Sequence, residues 1–240
     1  MNGGHGERAL WNRSRDELEI IRTFTWLHTE MQPYIYSIVV TAHRGAKPLI
    51  RPVKGKYQYM FGDAFLVAPI FQDTTYRSMI LPGGQWRYFF DDKEMITGPK
   101  RLERDFPLSE YPVYVRNGSI IPLNVQRRYT DLGDESSKDF TTLLIYPHET
   151  SEFTLFHPYE GATTIRVEDT KTFIEISISG VKIPHILRFH LEKPPDAVYR
   201  DGDLLRYPEE WNFDKRCNKL IIKTADYIRG QYKIVMSDQY

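Results

Sequence analysis

The sequence predicts a mainly β protein that begins with a helical piece. Apolar residues recur at helical spacing from Asp16 to Ala42. After Pro48 this period fades, and short runs rich in Val, Ile, Phe and Tyr are separated by Pro and Gly, as in antiparallel sandwiches and barrels. Hydrophobic residues make up 41% and charged residues 27% of the 240-residue chain. This balance is expected of a soluble globular protein with one or two domains.

The helical piece carries its own start and stop signals. Its apolar positions are Ile20, Phe24, Leu27, Met31, Tyr34, Ile35, Ile38 and Ala42, which lie on one helix face. Ser14 or Asp16 is the expected N-cap. Pro33 is expected to divide the run into two helices. Gly45, followed by Pro48, is expected to end it.

A first block of strands follows the helices. The predicted strands are Phe65–Phe71, Arg77–Leu81, Trp86–Phe90, Val113–Arg116 and Ser119–Pro122. Leu81–Gly84 (LPGG) is predicted to be a turn. The polar segment Arg127–Lys138 has few apolar residues and is predicted to be a linker or an exposed loop.

A second block of strands occupies the rest of the chain. Its predicted strands are Thr142–Tyr146, Glu152–His157, Thr163–Glu168, Thr172–Ser179, Ile186–Glu192, Lys219–Thr224 and Gln231–Met236. Thr172–Ser179 alternates strictly, which predicts one buried and one solvated face. Asp201-Gly202 is predicted to be a hairpin turn.

Charge and cysteine content exclude some classes of function. The formal net charge is +0, from 32 basic and 32 acidic residues, so no basic surplus points to a nucleic acid or a membrane surface as partner. The single cysteine, Cys217, excludes an internal disulfide framework. No apolar run approaches the ~20 residues that span a bilayer. No signal peptide is visible in the sequence. The cellular compartment stays unknown.

Few residues have the arrangement of a chemical site. Asn2–Trp11 is rich in glycine and polar side chains and has two interpretations, a flexible chain end or a binding loop. The carboxylates of Asp63, Asp91-Asp92 and Glu209-Glu210 are expected to be solvated surface charges. The seven histidines form no metal-binding pattern, so neither a metal nor a cofactor is predicted.

Six phrases occur in a fixed order in the first half of the chain. They are NGGHGERALW (Asn2–Trp11), LHTEMQPYIYS (Leu27–Ser37), KPLIRP (Lys47–Pro52), FGDAFLVAPI (Phe61–Ile70), LPGGQW (Leu81–Trp86) and YPVYVRNGSIIPL (Tyr111–Leu123). Together they resemble the last part of glycoside hydrolase family 31, the α-glucosidase and α-xylosidase family. None is diagnostic alone, and the resemblance extends from Asn2 to about Val125.

The resemblance implies a domain organisation and a reaction. Residues 1–47 would be the end of a (β/α)8 catalytic barrel, 48–130 a proximal β-sandwich and 138–240 a distal β-domain, both antiparallel. The parent enzyme would hydrolyse α-glucosides or α-xylosides with retention and without a cofactor. The catalytic carboxylates would lie before Met1, so this chain alone is expected to be inactive.

The resemblance also implies substrate-binding residues in the N-terminal loop. His5, Arg8 and Trp11 lie in the matching stretch, and His5 is favoured as a hydrogen-bond donor to a sugar hydroxyl. The family form usually ends in Arg-Pro-Trp, whereas this chain has Ala9-Leu10-Trp11. The expected partner is therefore a carbohydrate, bound with the missing barrel.

Two alternatives stay open, a non-catalytic carbohydrate-binding β-sandwich protein and a truncated product without function. The helix face formed by Leu27, Met31, Ile35 and Ile38 would have lost its barrel partners. These side chains are expected to be exposed, to cover the sandwich, or to mediate self-association.

Overall fold

The computed structural model describes residues 10–225 and 227–236, and it begins with helices. A single 3-10 turn, Leu10–Asn12, precedes α1 (Arg15–Glu30) and α2 (Gln32–His43). Ser14, one of the two predicted N-caps, is the N-cap of α1 and forms a capping box with Glu17. In this part of the chain no helix is long and apolar enough to cross a membrane.

The predicted break in the helical run is confirmed. α1 ends at Glu30, and Pro33 lies in the first turn of α2, where its missing N–H needs no partner. Gly45 follows α2 with φ of +93°, a left-handed conformation that glycine adopts without strain. Local signals therefore account for both ends of the helical piece.

A six-stranded sheet, sheet 1, follows the helices. Its strands are β1 (Ile50–Pro52), β2 (Tyr59–Phe61), β3 (Phe65–Val67), β4 (Tyr76–Tyr88), β5 (Asp91–Asp105) and β6 (Val113–Arg116), in the order β1-β2-β3-β6-β4-β5. All neighbouring strands are antiparallel.

One prediction for this sheet is wrong, and one strand was not predicted. The predicted turn Leu81–Gly84 lies inside the continuous strand β4, where the register to β5 shifts between Leu81 and Gly84. Pro and Gly here produce an irregular pairing instead of a reversal, since bulges tolerate both residues. Strand β5 was not predicted because its polar sequence lies at an exposed sheet edge, where alternation of apolar side chains is not required.

The rest of the chain forms two sheets. Its strands are β7 (Ile120–Leu123), β8 (Thr141–Ile145), β9 (Thr150–His157), β10 (Gly161–Asp169), β11 (Phe173–Gly180), β12 (His185–His190), β13 (Ala197–Arg200), β14 (Asp203–Leu204), β15 (Trp211–Asp214), β16 (Lys219–Thr224) and β17 (Gln231–Val235). Sheet 2 has the order β14-β13-β17-β11-β10-β9, and sheet 3 the order β15-β16-β12-β8-β7. The described strands thus confirm a mainly β fold with antiparallel sheets, except that β8 and β12 are parallel.

Sheets 2 and 3 pack face to face around a shared apolar core. Inward side chains such as Ile165, Ile176 and Ile234 from sheet 2 meet Leu143 and Phe189 from sheet 3. The predicted hairpin turn is confirmed, because Asp201 and Gly202 both have positive φ between β13 and β14.

The opposite face of sheet 3 contributes to a second core with helix α2 and sheet 1. Tyr34 of α2 contacts Phe65, and the same core includes Ile121 and Leu144. On the apolar helix face that was expected to have lost its barrel partners, Met31, Ile35 and Ile38 are half-buried against this core. The helices therefore cover the sheets, which is one of the three outcomes expected for them.

The predicted linker Arg127–Lys138 is largely exposed but ordered by contacts. It contains the 3-10 turns Arg128–Thr130 and Glu135–Ser137. Thr130 donates a hydrogen bond to the buried carboxylate of Glu30, and Tyr129 contacts Trp26. The domain boundaries at 47, 130 and 138 stay predictions.

Candidate functional site

The structure describes one of the three predicted sugar contacts. His5 and Arg8 lie outside the described residues. Trp11 lies in the 3-10 turn just before the N-cap of α1, and its side chain is 85% exposed. The indole is thus open to a contact, and its role in binding stays a prediction.

The candidate carboxylates fall into two groups. Asp63 is exposed and pairs with Arg51 at 2.6 Å, and Glu210 pairs with Arg206, so both are surface ion pairs as expected. Asp91 is exposed as well. Asp92 contradicts the prediction of a surface charge, because the residue is buried.

Asp92 lies at the centre of a buried polar cluster, here called the interlayer cluster and made of Arg87, Asp92, Tyr146, His190 and Lys219. The Asp92 carboxylate forms an ion pair with the Lys219 ammonium. Tyr146 donates a hydrogen bond of 2.7 Å to it, and His190 Nδ1 lies 3.4 Å away. Because Asp92 belongs to β5 and the other three partners come from or adjoin strands of sheet 3, the cluster joins the two layers.

Arg87 holds the start of β5, where Asp92 lies. The guanidinium is buried and donates through Nη1 to the carbonyl oxygens of Asp92 and Lys93, at 3.0 and 2.9 Å. Its Nη2 pairs with Glu192, which follows β12. One arginine thus holds the start of β5 and ties it to the chain segment after β12.

Burial and neighbouring charges set the protonation states of the cluster. Burial alone would raise the pKa of Asp92, but the charge of the Lys219 ammonium and the hydrogen bonds to the carboxylate outweigh it, and the net shift is downward. Burial lowers the pKa of Lys219 and of His190, whereas the Asp92 carboxylate favours the charged form of both. Burial, followed by the Asp92 charge, raises the pKa of Tyr146 well above its ordinary value. At pH 7 an ion pair is therefore flanked by a neutral imidazole and a neutral phenol.

The tautomer of His190 follows from its contacts. Its Nδ1 is 3.0 Å from Lys219 Nζ, and an ammonium can only donate, so Nδ1 accepts. In a neutral imidazole the proton then lies on Nε2. His190 is only 4% exposed, and its Nε2 has no hydrogen-bond partner in the described structure.

A cleft of about 470 Å³ opens beside the interlayer cluster. Arg87, Tyr146 and His190 belong to its walls, together with the side chains of Gln85 and Asn117. Arg87 Nε donates to Asn117 Oδ1 at 3.1 Å, and Asn117 Nδ2 donates to Gln85 Oε1 at 3.0 Å. This relay holds two amide side chains in place at the edge of the cleft.

The chemistry of the interlayer cluster is that of a structural junction. Lys219 is paired with a carboxylate and is therefore not a free amine nucleophile. Within residues 10–225 and 227–236, no group of three or more His, Cys, Asp or Glu side chains is placed to hold a metal ion. Sequence reasoning missed the cluster, since its members are spread from Arg87 to Lys219 without a local pattern.

Comparisons with known proteins agree with the fold and its order of elements. Residues 26–121 match the family model described as the glycosyl hydrolase family 31 C-terminal domain. An isomaltosyltransferase from Sporosarcina globispora is 31% identical over 176 residues, which are 63% of this chain and 16% of the transferase. An α-glucosidase from Saccharolobus solfataricus is 29% identical over 228 residues, which are 90% of this chain and 28% of the glucosidase.

The fold is also similar to that of a solved enzyme. A family 31 dextranase from Flavobacterium johnsoniae aligns with 97% of this chain at a TM-score of 0.83 and 21% identity, and the match covers 34% of the dextranase. The chain thus spans between about a sixth and a third of the length of these three proteins.

Proposed function

Because this chain contains the C-terminal domain of glycosyl hydrolase family 31, we propose that it is the C-terminal part of a retaining α-glycosidase that hydrolyses α-glucosides or α-xylosides. The match of residues 26–121 to the family model carries the proposal, and the similarity to an α-glucosidase over 90% of this chain supports it. Retention needs two carboxyl groups about 5–5.5 Å apart, a nucleophile and a general acid. In this proposal both belong to the rest of the parent enzyme.

The role of this part is to complete and support a catalytic barrel. In this proposal α1 and α2 belong to the end of the (β/α)8 barrel, and the three sheets form the platform on which the barrel ends. The outer face of α2 supports the assignment, because Tyr36 and Val39 are 40% and 48% exposed while Tyr34 and Ser37 are buried against the sheets. The exposed side chains would meet the rest of the barrel, and in its absence they would mediate self-association.

The N-terminal loop supplies one wall of the sugar pocket. His5 would donate a hydrogen bond to a sugar hydroxyl, and Arg8 is the other polar candidate. Trp11 is exposed next to the loop, where an indole can cover the apolar face of a sugar ring. A pocket needs several walls to bury a ligand, so the loop is expected to bind sugar only together with the barrel.

The test compares this chain with the longer enzyme. We expect the longer enzyme to release α-linked glucose or xylose from aryl glycosides and the chain of 240 residues to be inactive. Product analysis distinguishes hydrolysis from transfer to a second sugar. Turnover by this chain would refute the placement of the catalytic carboxylates. A longer protein that binds sugar without turnover would favour the non-catalytic carbohydrate-binding protein.

A substitution tests the loop. In the longer enzyme, His5→Ala should lower kcat/KM by an amount equivalent to ~1–3 kcal/mol, as a lost buried hydrogen bond does. His43→Ala, at an exposed position at the end of α2, is the matched control and should change little. An unchanged kcat/KM for His5→Ala would remove His5 from the pocket and favour Arg8.

A further inference from the structure

The cleft beside the interlayer cluster has the construction of a ligand site. Its walls come from sheet 1, from the turn after β8, from the turn between β10 and β11, and from the chain after β12. Its volume of about 470 Å³ falls in the range of small-molecule sites, which often lie where structural units meet. The walls combine a few fixed polar groups with an apolar surface, formed in part by Met95, Ile174 and Leu191.

Two wall residues carry a donor that is held in place and has no partner among the described residues. Gln85 accepts the hydrogen bond of Asn117 with its Oε1, which leaves its amide nitrogen to donate. His190 is buried, its Nδ1 is engaged by Lys219, and its Nε2–H has no partner among the described residues. A buried donor without a partner is rare in folded proteins, and a ligand oxygen at this position would satisfy it.

The charges of the walls select for an uncharged ligand. Three cationic side chains (Arg87, Lys171, Lys193) are balanced by three anionic ones (Glu149, Asp169, Glu192). A neutral ligand with several hydroxyl groups can accept from the amide and imidazole donors and can donate to the carboxylates. Sugar rings have this combination of hydroxyl edges and an apolar face.

We infer that this cleft binds a neutral carbohydrate of one to three sugar residues, separately from the proposed pocket at the N-terminal loop. Trp11, the one proposed contact of that loop that lies among the described residues, is not part of its walls. The choice of α-linked glucose units over other neutral polyols rests on the proposed function, whereas the site itself rests on the cleft, His190 and the balance of charge.

The test uses the chain of 240 residues and needs no catalysis. Isomaltotriose and maltotriose are titrated separately into the 15N-labelled chain, and chemical shifts are followed by NMR. We expect saturable changes in the side-chain amides of Gln85 and Asn117 and in the Nε2–H signal of His190. Failure of this binding would leave the proposed glycosidase activity untouched, and inactivity of the longer enzyme would leave this binding untouched.

Variants locate the binding. Gln85→Ala, and independently Glu149→Ala in an exposed turn, should each raise Kd about fivefold, as expected for one lost hydrogen bond. Glu175→Ala is the matched control, because Glu175 lies in a different groove on the outer face of sheet 2. The inference is overturned by the absence of saturable changes at about 10 mM sugar, tenfold above a weak Kd of about 1 mM. Chemical-shift changes confined to the groove of Glu175 overturn it as well. Equal sugar affinities of all three variants would do the same.

Discussion

Removal of the charge of Asp92 should destabilise the protein more than removal of the charge of an exposed carboxylate. Asp92→Asn keeps the size of the side chain and an oxygen for the hydrogen bond from Tyr146, but it leaves the ammonium of Lys219 without a counterion. Lys219 is 6% exposed, so water cannot replace the lost carboxylate. Breaking a buried ion pair by removing one partner costs about 3–5 kcal/mol. This is a large part of a typical unfolding free energy of roughly 5–15 kcal/mol.

The assay is urea unfolding of the wild-type chain, Asp92→Asn and three further variants. Asp91→Asn is the matched control, since it removes the same charge one residue earlier at an exposed position; it should cost less than about 0.5 kcal/mol. Lys219→Met alone leaves the carboxylate buried and should also be costly. The double variant Asp92→Asn/Lys219→Met removes both charges, so its cost should be well below the sum of the single costs.

The pH dependence gives an independent check. The folded-state pKa of Asp92 is lowered, so its contribution is present above the unfolded-state pKa of about 4 and is lost as pH falls through the lower folded-state value. The difference in unfolding free energy between the wild-type chain and Asp92→Asn should therefore shrink below pH 4. A cost of Asp92→Asn below about 1 kcal/mol at pH 7, or strictly additive costs in the double variant, would refute the assignment of a buried, coupled pair.

Three further predictions concern the scaffold. Burial raises the pKa of Glu30, so the wild-type chain should lose stability as pH rises from about 4 through the folded-state pKa. Glu30→Gln should therefore gain stability relative to wild type over that pH range. A difference in thermal midpoint that stays constant with pH would contradict this. Gly62→Ala should cost more than about 1 kcal/mol, because Gly62 has φ of +62° and an added Cβ would lie 1.9 Å from the hydroxyl of Tyr34. Gly83→Ala, whose Cβ would meet nothing within 4 Å, should stay within about 0.5 kcal/mol in the same urea assay. Ser14→Ala should lower the unfolding free energy by about 1 kcal/mol through loss of the helix cap, and an unchanged value would show that the cap is replaced by solvent.

The helical piece was predictable because its signals are local. Ser14, Pro33 and Gly45 act on backbone groups within a few residues of themselves, through a side-chain cap, a missing N–H and a left-handed conformation. The same holds for the Asp201-Gly202 turn. In each case the physical cause and the structural effect lie in the same short segment.

The errors in sheet 1 come from pairing between distant segments. Pro82 and Gly83 would end many strands, but β5 pairs on both sides of them, and the indole N–H of Trp86 donates to the carbonyl of Pro82 at 2.9 Å. Strand β5 itself is recognisable only from its partner β4. A pattern of side chains along one segment does not contain this information.

The position of Asp92 shows the same limit at the level of the site. Asp91 and Asp92 are adjacent and chemically identical, yet only Asp92 is buried. The group that compensates its charge, Lys219, lies 127 residues away. The base rate for carboxylates therefore gave the correct answer for Asp91 and the wrong one for Asp92, and only the three-dimensional arrangement distinguishes them.

Strand β7 explains why the two strand blocks are closely coupled. Ile120 faces the core between sheets 2 and 3, whereas Ile121 and Leu123 face the core shared with α2 and sheet 1. Strand β7 follows directly after sheet 1 in the chain but pairs with β8 of sheet 3 across the polar segment 127–138. Separation of the chain at that segment would remove an edge strand from sheet 3, Ile120 from one core, and Ile121 and Leu123 from the other. Together with the interlayer cluster, β7 makes the position of one block depend on the other, as the proposed platform for a catalytic barrel would require.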